Sequence, residues 1–572
     1  MKSIDKLKKA KDLSGLAKLL GYQPKAVSFI IYIIPDADKY DTFKIPKKDG
    51  GEREIQAPVP RLKELQRRLA DLLQHCLEDV YGREAYGRTL SHGFRKGNSI
   101  ITNASNHKNR RYVFNVDLKD FFPSINFGRV RGFFIKSNDF ELDPKVATVI
   151  AQIACHGNAL PQGSPVSPVI SNLIGHILDI RLVKLAKKAR CGYSRYADDI
   201  TFSTRAKNFP ALIAKKEPTG EWLPSDKLDT AIKRAGFEIN TKKVSMQYWT
   251  HRQMVTGLVV NRKVNIRASY YRQARAMSDA LFRTGRFYIG KEMQWGEPKD
   301  NPEKVLGTVD QLKGVLSFIY SVKKHHEERD IKEQWKHPTA IHKLYRKFLY
   351  FDKFHALQKP FVFCEGKTDS VYIKCAIKAL STTYPRLINN ASGEVTLLID
   401  FFKYSNMNMG LMQFSGGTGD LVAFIHHYKT MMKPFLCEGR KFPVIVLVDN
   451  DAGASLVFQK ASKITGGKVD GGDEFYHLLE NLYLVVLPKA AGTADVVIEK
   501  FFESSITAQV INGKTFNPDE KTFDRDKHYG KQVFADKVVK ANQKSINFDG
   551  FKPILDRLEA AIADHAGKLA TP

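Results

Sequence analysis

No apolar run in this chain reaches the length that a membrane helix needs. The best stretch, Val27 to Ile34, is too short and stops at Pro35. A mean hydropathy of −0.32 agrees, so no membrane partner is expected. The Lys-rich N-terminus lacks the apolar core of a signal peptide, and a cytoplasmic location is the resulting expectation. Cysteine is sparse: Cys76, Cys155, Cys191, Cys364, Cys375 and Cys437 lie scattered with no C-x-x-C pair. That excludes a zinc ribbon and a disulfide framework and leaves reduced thiols. Internal repeats and long low-complexity tracts are also missing. Acid is short relative to base, with 61 Asp and Glu against 90 Lys and Arg, a net charge of +29. A chain so basic is expected to meet a polyanion.

What is present fits more than one core. The chain has 572 residues, 43% of them hydrophobic, which predicts two or more domains. Lys2 to Lys11 reads as a basic helical start, and Arg61 to Val80 alternates apolar and basic residues at helical spacing. Tyr112 to Leu118 is apolar and β-prone, a buried strand. Val146 to Cys155 and Pro168 to Arg190 read as helices, and Gly192 to Ser203 as a hairpin with Ala197-Asp198-Asp199 at its turn. A basic, aromatic-studded helical region runs from Arg267 to about Leu357. In it Tyr270, Tyr271, Arg272 and Arg275 occupy adjacent helical positions, able to stack on bases and meet phosphates of an RNA. Beyond it, Phe361 to Cys364, Leu411 to Phe414, Val444 to Val448 and Leu482 to Leu487 are short apolar runs separated by helical patterns. That alternation predicts a parallel α/β sheet, with the boundary near Phe351 to Pro360.

Two groups of carboxylates stand out. Asp117 ends the strand Tyr112-Val-Phe-Asn-Val116, and Asp198 and Asp199 sit in Tyr196-Ala-Asp-Asp199. A strand end and a hairpin turn can meet on one sheet face, and carboxylates packed together repel unless a cation joins them. Hard oxygen ligands suit Mg²⁺, with Mn²⁺ as the alternative ion. Two such ions activate a 3′-hydroxyl and stabilise a departing pyrophosphate. The second group lies at later strand ends: Glu365 after Phe361-Val-Phe-Cys364, followed by Gly366 and Asp369, and Asp449-Asn-Asp451 after Val444-Ile-Val-Leu-Val448. Ligands of open parallel sheets gather at those carboxyl ends, so Glu365, Asp449 and Asp451 form a second candidate divalent-metal site.

The order of motifs resembles the reverse transcriptases of retrons and group II introns. Asp117 with Phe121-Phe122 is similar to their first palm motif, and Gln162-Gly163 in Pro161-Gln-Gly-Ser-Pro-Val-Ser-Pro168 to the motif that lies against template and incoming nucleotide. Tyr196-Ala-Asp-Asp199 is similar to their polymerase signature, and Gly236 with Lys242 or Lys243 to the next motif. The resemblance implies that Phe122 crowds the sugar 2′-position and selects deoxynucleotides. Asn103-Ala-Ser-Asn-His107 and Val255-Thr-Gly257 resemble two elements of retron enzymes in particular. The resemblance covers about residues 1–345.

The later half resembles a Toprim domain, the fold of topoisomerases, bacterial primases and overcoming-lysogenization-defect nucleases. Asp369 is then a supporting carboxylate, and Asp495 and Glu499 in Ala494-Asp-Val-Val-Ile-Glu-Lys-Phe-Phe502 resemble the late acidic motif of the nuclease branch. Asp449 and Asp451 are expected to hold a metal while Glu365 takes or gives a proton. Ser415-Gly-Gly-Thr-Gly419 reads either as a loop or as a phosphate cradle. No tyrosine has the context of a topoisomerase nucleophile and no zinc module of a primase is present, which favours phosphodiester hydrolysis.

Together these resemblances imply a right-hand polymerase of α+β and α/β domains followed by a Toprim α/β domain with a parallel sheet. The expected organisation is fingers and palm to about 260, a helical thumb over 261–345, a linker at 346–359 and the Toprim domain at 360–572. The family copies part of its own structured non-coding RNA from dNTPs, primed on a guanosine 2′-hydroxyl. Its multicopy single-stranded DNA stays joined to RNA, holds the effector in check and serves antiphage defence. An RNA or DNA target for the second half, and an oligomer formed with the DNA–RNA, belong to the same expectation. The other readings are an intron-type reverse transcriptase with an accessory nuclease and a nucleic-acid scaffold with inactive sites.

Overall fold

The computed structural model describes residues 1–46, 50–86, 90–289, 305–390, 395–489, 495–519 and 522–570. The chain forms two compact units. The first takes Met1–Arg272 with Ser321–Glu327, and the second takes Gln273–Ile289, the described part of Lys304–Tyr320, and the chain from Glu328 onward. Helix Ala268–Thr284 therefore begins in one unit and ends in the other.

The first unit is organised around a four-stranded antiparallel sheet in the order Gly192–Tyr196, Asp199–Thr204, Tyr112–Asp117, Ser245–Tyr248. Tyr112–Asp117 is interior to the sheet, and its Val113, Phe114 and Val116 are buried. Helix Ser167–Lys188 follows the Pro-Gln-Gly turn with Pro168 in its first turn, where a missing N–H costs nothing. It buries Ile170, Leu178 and Leu182, and helix Pro144–Ala154 adds Val146, Ile150 and Ile153 to the same core. Ahead of the sheet, Tyr40–Pro46 and Glu52–Pro58 form an antiparallel hairpin with Tyr40 opposite Pro58.

The second unit holds a five-stranded sheet in the order Asp400–Phe401, Phe361–Cys364, Val444–Val448, Leu482–Val486, Tyr476–Leu479. The first three pairings are parallel and the last antiparallel. Every residue of Phe361–Cys364, Val444–Val448 and Leu482–Val486 is buried, as befits strands covered on both faces. Helices Asp369–Ala379 and Lys552–Ala570 contribute to that core.

Two expectations fail here. Leu411–Phe414 is not a strand: Asn406–Met412 is a helix, started by the Ser405 hydroxyl accepting the Asn408 N–H and ended by Gln413 in the left-handed region. Leu411 and Phe414 are buried all the same, so the apolar run marks burial and not sheet pairing. The edge strand is instead the short Asp400–Phe401. Nor does 346–359 stand apart as a linker: it belongs to the second unit. Helix Ala340–Tyr350 passes into a wider turn over Phe351–His355, burying Phe348, Phe351, Phe354 and His355. Phe351 lies 5.5 Å from Phe282 and 5.3 Å from Phe435, ring to ring, and Phe354 lies 4.8 Å from Phe424. Aromatics at helical spacing pack this segment into the second unit.

Candidate active sites

The turn between Gly192–Tyr196 and Asp199–Thr204 carries the first site. Strand pairing sets Asp117 directly across from Asp199, which in turn faces Tyr196. The turn needs Ala197 at a φ of 55°, and the Leu118 N–H donates to the Asp198 carbonyl at 3.0 Å. Gly93 lies against this turn: a Cβ there would stand 2.7 Å from the Ala197 nitrogen, so no larger residue fits.

Burial and the neighbouring Asp117 raise the proton affinity of Asp198. Asp199 remains open to solvent, yet the protein packed around its carboxylate, with Asp198 and Asp117, lifts it to about 7. Asp117 is buried, and both its oxygens meet donors: Asn240 Nδ2 at 3.1 Å and Lys243 Nζ at 3.3 Å. Of the two expected lysines, both exposed, Lys243 is thus the one paired with a carboxylate of the site.

Gln162 and Gly163 lie against the first hairpin. The Gln56 N–H donates to the Gln162 carbonyl at 2.7 Å. Gly163 has a φ of 129°, and a Cβ there would stand 2.5 Å from the Gln56 carbonyl oxygen. Phe122 is half-buried between Phe121 and Phe94, at ring distances of 5.5 and 6.1 Å. Gly236, at a φ of 77°, lets Arg129 reach its carbonyl at 2.7 Å, and the same guanidinium bonds Ser124 and Ala235 carbonyls.

Behind the turn lies a polar framework that sequence reasoning missed in part. Arg195 is wholly buried and grips Asp179 with two 2.7 Å bonds, while a third guanidinium nitrogen donates to the Ala197 carbonyl at 2.9 Å. Tyr193 donates to the same Asp179 at 2.7 Å. No local signal announces the pair: the buried residues of the helix also include Ser171 and Asn172, and the strand is only partly buried. Asn103 and His107 have no exposure. His107 Nδ1 meets the Ser203 hydroxyl and Nε2 the Ser194 hydroxyl, both at 2.7 Å, and Ser194 donates to Asn103. Burial pushes His107 down to about 3, so this ring is neutral and structural. Thr256, at a φ of 47°, donates to the Ile100 carbonyl at 3.1 Å. The second motif therefore bonds the start of the helix Ile100–Ser105 that carries Asn103.

Tyr270 and Tyr271 are half-buried and Arg272 and Arg275 exposed. Lys323 lies 5.4 Å from the Tyr271 ring centre. Tyr270 to Arg272 belong to the first unit and Arg275 to the second.

In the second unit, Glu365 accepts from the Thr418 hydroxyl at 2.7 Å and from the Asp449 N–H at 3.4 Å. Asp369 is buried beside the turn, where it accepts the Gly366 N–H at 2.7 Å. A Cβ at Gly366 would fall 2.4 Å from the Asp369 carboxylate, so glycine is required by contact. Burial, then Asp369, Glu365 and Glu499, raise Asp449 to about 8. Burial, with Glu499 and Glu365 adding to it, raises Asp369 to about 6. The crowding of carboxylates thus acts on Asp449 and Asp369. Asp451 accepts the Ala454 N–H at 3.2 Å and caps the short turn Ala452–Ala454.

Glu499 is no surface carboxylate: it is buried and paired with Lys531 at 3.1 Å. Asp495 is exposed, and Ala494 of the same motif lies outside the described residues. The Ser415 and Gly416 amides donate to Asp420, and the Gly417 amide donates to the Glu365 carbonyl at 3.4 Å. These amides are taken by the protein, so the segment is a loop and not a phosphate cradle.

Among the described residues, no three His, Cys, Asp or Glu side chains converge closely enough to hold a metal ion as they stand. The donor sets nevertheless fit hard cations: each gathers ionisable oxygens whose mutual repulsion a divalent ion relieves. No helix among the described residues is long and apolar enough to cross a membrane.

Residues 45–270 match the family model described as reverse transcriptase (RNA-dependent DNA polymerase). The chain is 33% identical over 324 residues to the retron Mx162 reverse transcriptase of Myxococcus xanthus, covering 54% of this chain and 63% of that protein. It is 34% identical to the retron Mx65 reverse transcriptase of the same organism, covering 42% of this chain and 55% of the relative. It is 29% identical to the retron Ec86 reverse transcriptase of Escherichia coli, covering 59% of this chain and 90% of the relative. The chain thus spans somewhat over half the length of the two Myxococcus relatives. Among solved structures, apo telomerase from Candida tropicalis aligns at a TM-score of 0.29 and 13% identity, over 41% of this chain and 56% of that one. Telomerase from Candida albicans with a telomeric RNA fragment aligns at 0.30 and 10%, over 54% and 60%. Asp117, Asp198 and Asp199 lie inside the reverse transcriptase match, Glu365, Asp369, Asp449 and Asp451 lie beyond it, and the relatives named are retron reverse transcriptases.

Proposed function

We propose that the first unit is the polymerase of a retron: it copies a structured RNA into single-stranded DNA. The observation that carries this is the cross-strand pairing of Asp117 with Asp199 beside Asp198, inside the reverse transcriptase match. Asp117, Asp198 and Asp199 would hold Mg²⁺, which lowers the cost of a 3′-oxygen nucleophile and a pyrophosphate leaving group. Asn240 and Lys243 fix the Asp117 carboxylate from the side. The buried Arg195–Asp179 pair holds the turn, so the aspartates do not have to reorganise during reaction. Phe122 borders the sugar and disfavours ribonucleotides; Gln162 and Gly163 position template and incoming nucleotide. Tyr270, Tyr271, Arg272 and Arg275 contact the RNA. The test is DNA synthesis on a primed RNA template by the full chain, compared with the Asp198→Ala, Asp199→Ala double variant. Equal synthesis by a folded double variant would refute the assignment.

Residues 360–572, within the second unit, are proposed to form a Toprim-type, divalent-metal nuclease acting on RNA or DNA as the effector of antiphage defence. The supporting observation is the gathering of Glu365, Asp369, Asp449 and Glu499 around the carboxyl ends of two parallel strands. Asp449 and Asp451 would hold the ion, and Glu365, oriented by Thr418, would assist proton transfer. Glu365→Ala should keep DNA synthesis and remove both cleavage and protection from phage. Cleavage and protection at the unaltered level would reduce this unit to a binding module.

A further inference from the structure

Directly after the edge strand Ser245–Tyr248, the chain turns through a loop that presents Trp249, 60% exposed, at the rim of a concavity of about 690 Å³. That volume lies within the range of small-ligand sites. Arg252, Arg267, Arg272 and His251 line it, and no carboxylate does. Arg252 and Arg272 make no ion pair with any described carboxylate and are exposed.

The loop is built to hold its shape. Asn261 Nδ2 donates to the Trp249 and His251 carbonyls at 3.3 and 2.7 Å, and its oxygen accepts the Gln253 N–H at 2.9 Å. The Trp249 N–H donates to the Arg111 carbonyl at 3.0 Å. A large aromatic face left open on a fastened loop, within reach of unpaired guanidinium groups, suits a base with phosphates on either side.

We infer that this concavity holds a nucleotide of a single-stranded nucleic acid, its base against Trp249 and its flanking phosphates on Arg252 and Arg272. The inference rests on the polymerase reading for its partner. Its place on the sheet says which part of the strand binds. Ser245 pairs with Asn115 near Asp117, whereas Tyr248 pairs with Tyr112, at the far end of the same strand. Five steps along the strand separate Tyr112 from Asp117, about 17 Å at the usual rise. The site therefore grips a segment away from the reacting nucleotide.

The test titrates the full chain into labelled oligo(U) and oligo(dT) across a salt series, with poly-glutamate as competitor. Trp249→Ala should weaken binding of at least one oligonucleotide about tenfold, or ~1.4 kcal/mol, and Trp249→Phe should recover most of it. The paired Arg252→Gln, Arg272→Gln variant should lower the salt slope by about 1.4, the share of two single-strand phosphates. A larger loss with oligo(U) assigns the groove to RNA, and a larger loss with oligo(dT) assigns it to the DNA product. Binding of both oligonucleotides within twofold of wild type by Trp249→Ala overturns the site, as does displacement by poly-glutamate as effective as by unlabelled oligonucleotide. Trp249 is largely exposed, so a thermal midpoint near wild type is expected and checks the fold. DNA synthesis by the wild-type chain is assayed separately: its failure with the Trp249 dependence intact would remove the polymerase reading and leave this site.

Discussion

The two carboxylate clusters are assembled by opposite means. In the first unit the aspartates sit on an antiparallel strand and a tight turn, and a buried polar framework stands behind them: Arg195, Asp179, Ser194, Asn103 and His107. In the second unit the acids stand at the ends of wholly apolar parallel strands, and a cation that acts on them, Lys531, pairs with a buried acid of the same cluster. A turn has no packed core of its own to hold it, so its geometry must come from hydrogen bonds to fixed groups. Parallel strand ends inherit their positions from the sheet. The first site should therefore be sensitive to polar substitutions behind it, and the second to the charge balance within it.

The largest effect probes the first cluster itself. Asp198→Ala with Asp199→Ala should lower the rate of DNA synthesis by at least about 10³-fold, since each 1.36 kcal/mol lost from the transition state is tenfold. RNA binding, measured by filter retention, should stay within about threefold, because metal ligands at a solvent-facing turn do not carry the basic surface.

Next comes the framework. Asp179→Ala leaves a buried guanidinium uncompensated and should cost about 3–5 kcal/mol of stability in calorimetry. Asp179→Leu combined with Arg195→Met should recover most of that stability but not the synthesis rate, because the bond to the Ala197 carbonyl is gone. Lys531→Met in the second unit should cost less, since Lys531 is partly exposed. Equal losses at the two places would erase the contrast.

A smaller effect is expected at Ser194→Ala. The hydroxyl serves both Asn103 and His107, and its removal leaves buried polar atoms unpaired, at about 1–3 kcal/mol. Asn103 and His107 were legible only as a resemblance. Their role as backing for the turn became plain once the fold brought residues from distant parts of the chain together.

Legibility followed the range of the interaction. Tyr112–Asp117 and the hairpin at 192–204 could be read because the strand pattern is local and the turn residues are adjacent. That Asp117 would lie beside Asp198 and Asp199 could be read because strand ends dictate where carboxylates emerge. Leu411–Phe414 misled because a short apolar run reports burial without its period, and a Ser405 cap decided for helix. The 346–359 segment misled because a proline before a strand resembles a boundary, whereas Phe351 and Phe354 find partners far along the chain. Arg195 and Asp179 were missed since nothing local announces a buried ion pair. Lys243 was separable from Lys242 only by its bond to Asp117.

The smallest effect compares the two clusters by pH and metal. Asp199 and Asp449 take up protons in the folded chain at about 7 and about 8, against an ordinary value of 3.8. Between about pH 4 and those values the folded state holds more protons than the unfolded one, so stability falls as pH rises. Above both values the slope is flat. A divalent cation binds the ionised form, so Mg²⁺ should raise the thermal midpoint at pH 8.5 and have little effect at pH 5.5. A gain of about 2 °C corresponds to roughly 1 kcal/mol for a unit of this size. Single substitutions assign the gain. With Asp449→Asn, the remaining Mg²⁺ response should reach half its size near pH 7, from the first cluster. With Asp199→Asn it should do so near pH 8, from the second, and Mg²⁺ addition in weak buffer should release protons in both cases. A Mg²⁺ response that keeps the same pH midpoint in both variants would mean that the two clusters do not differ in proton affinity, and that part of the contrast would fall.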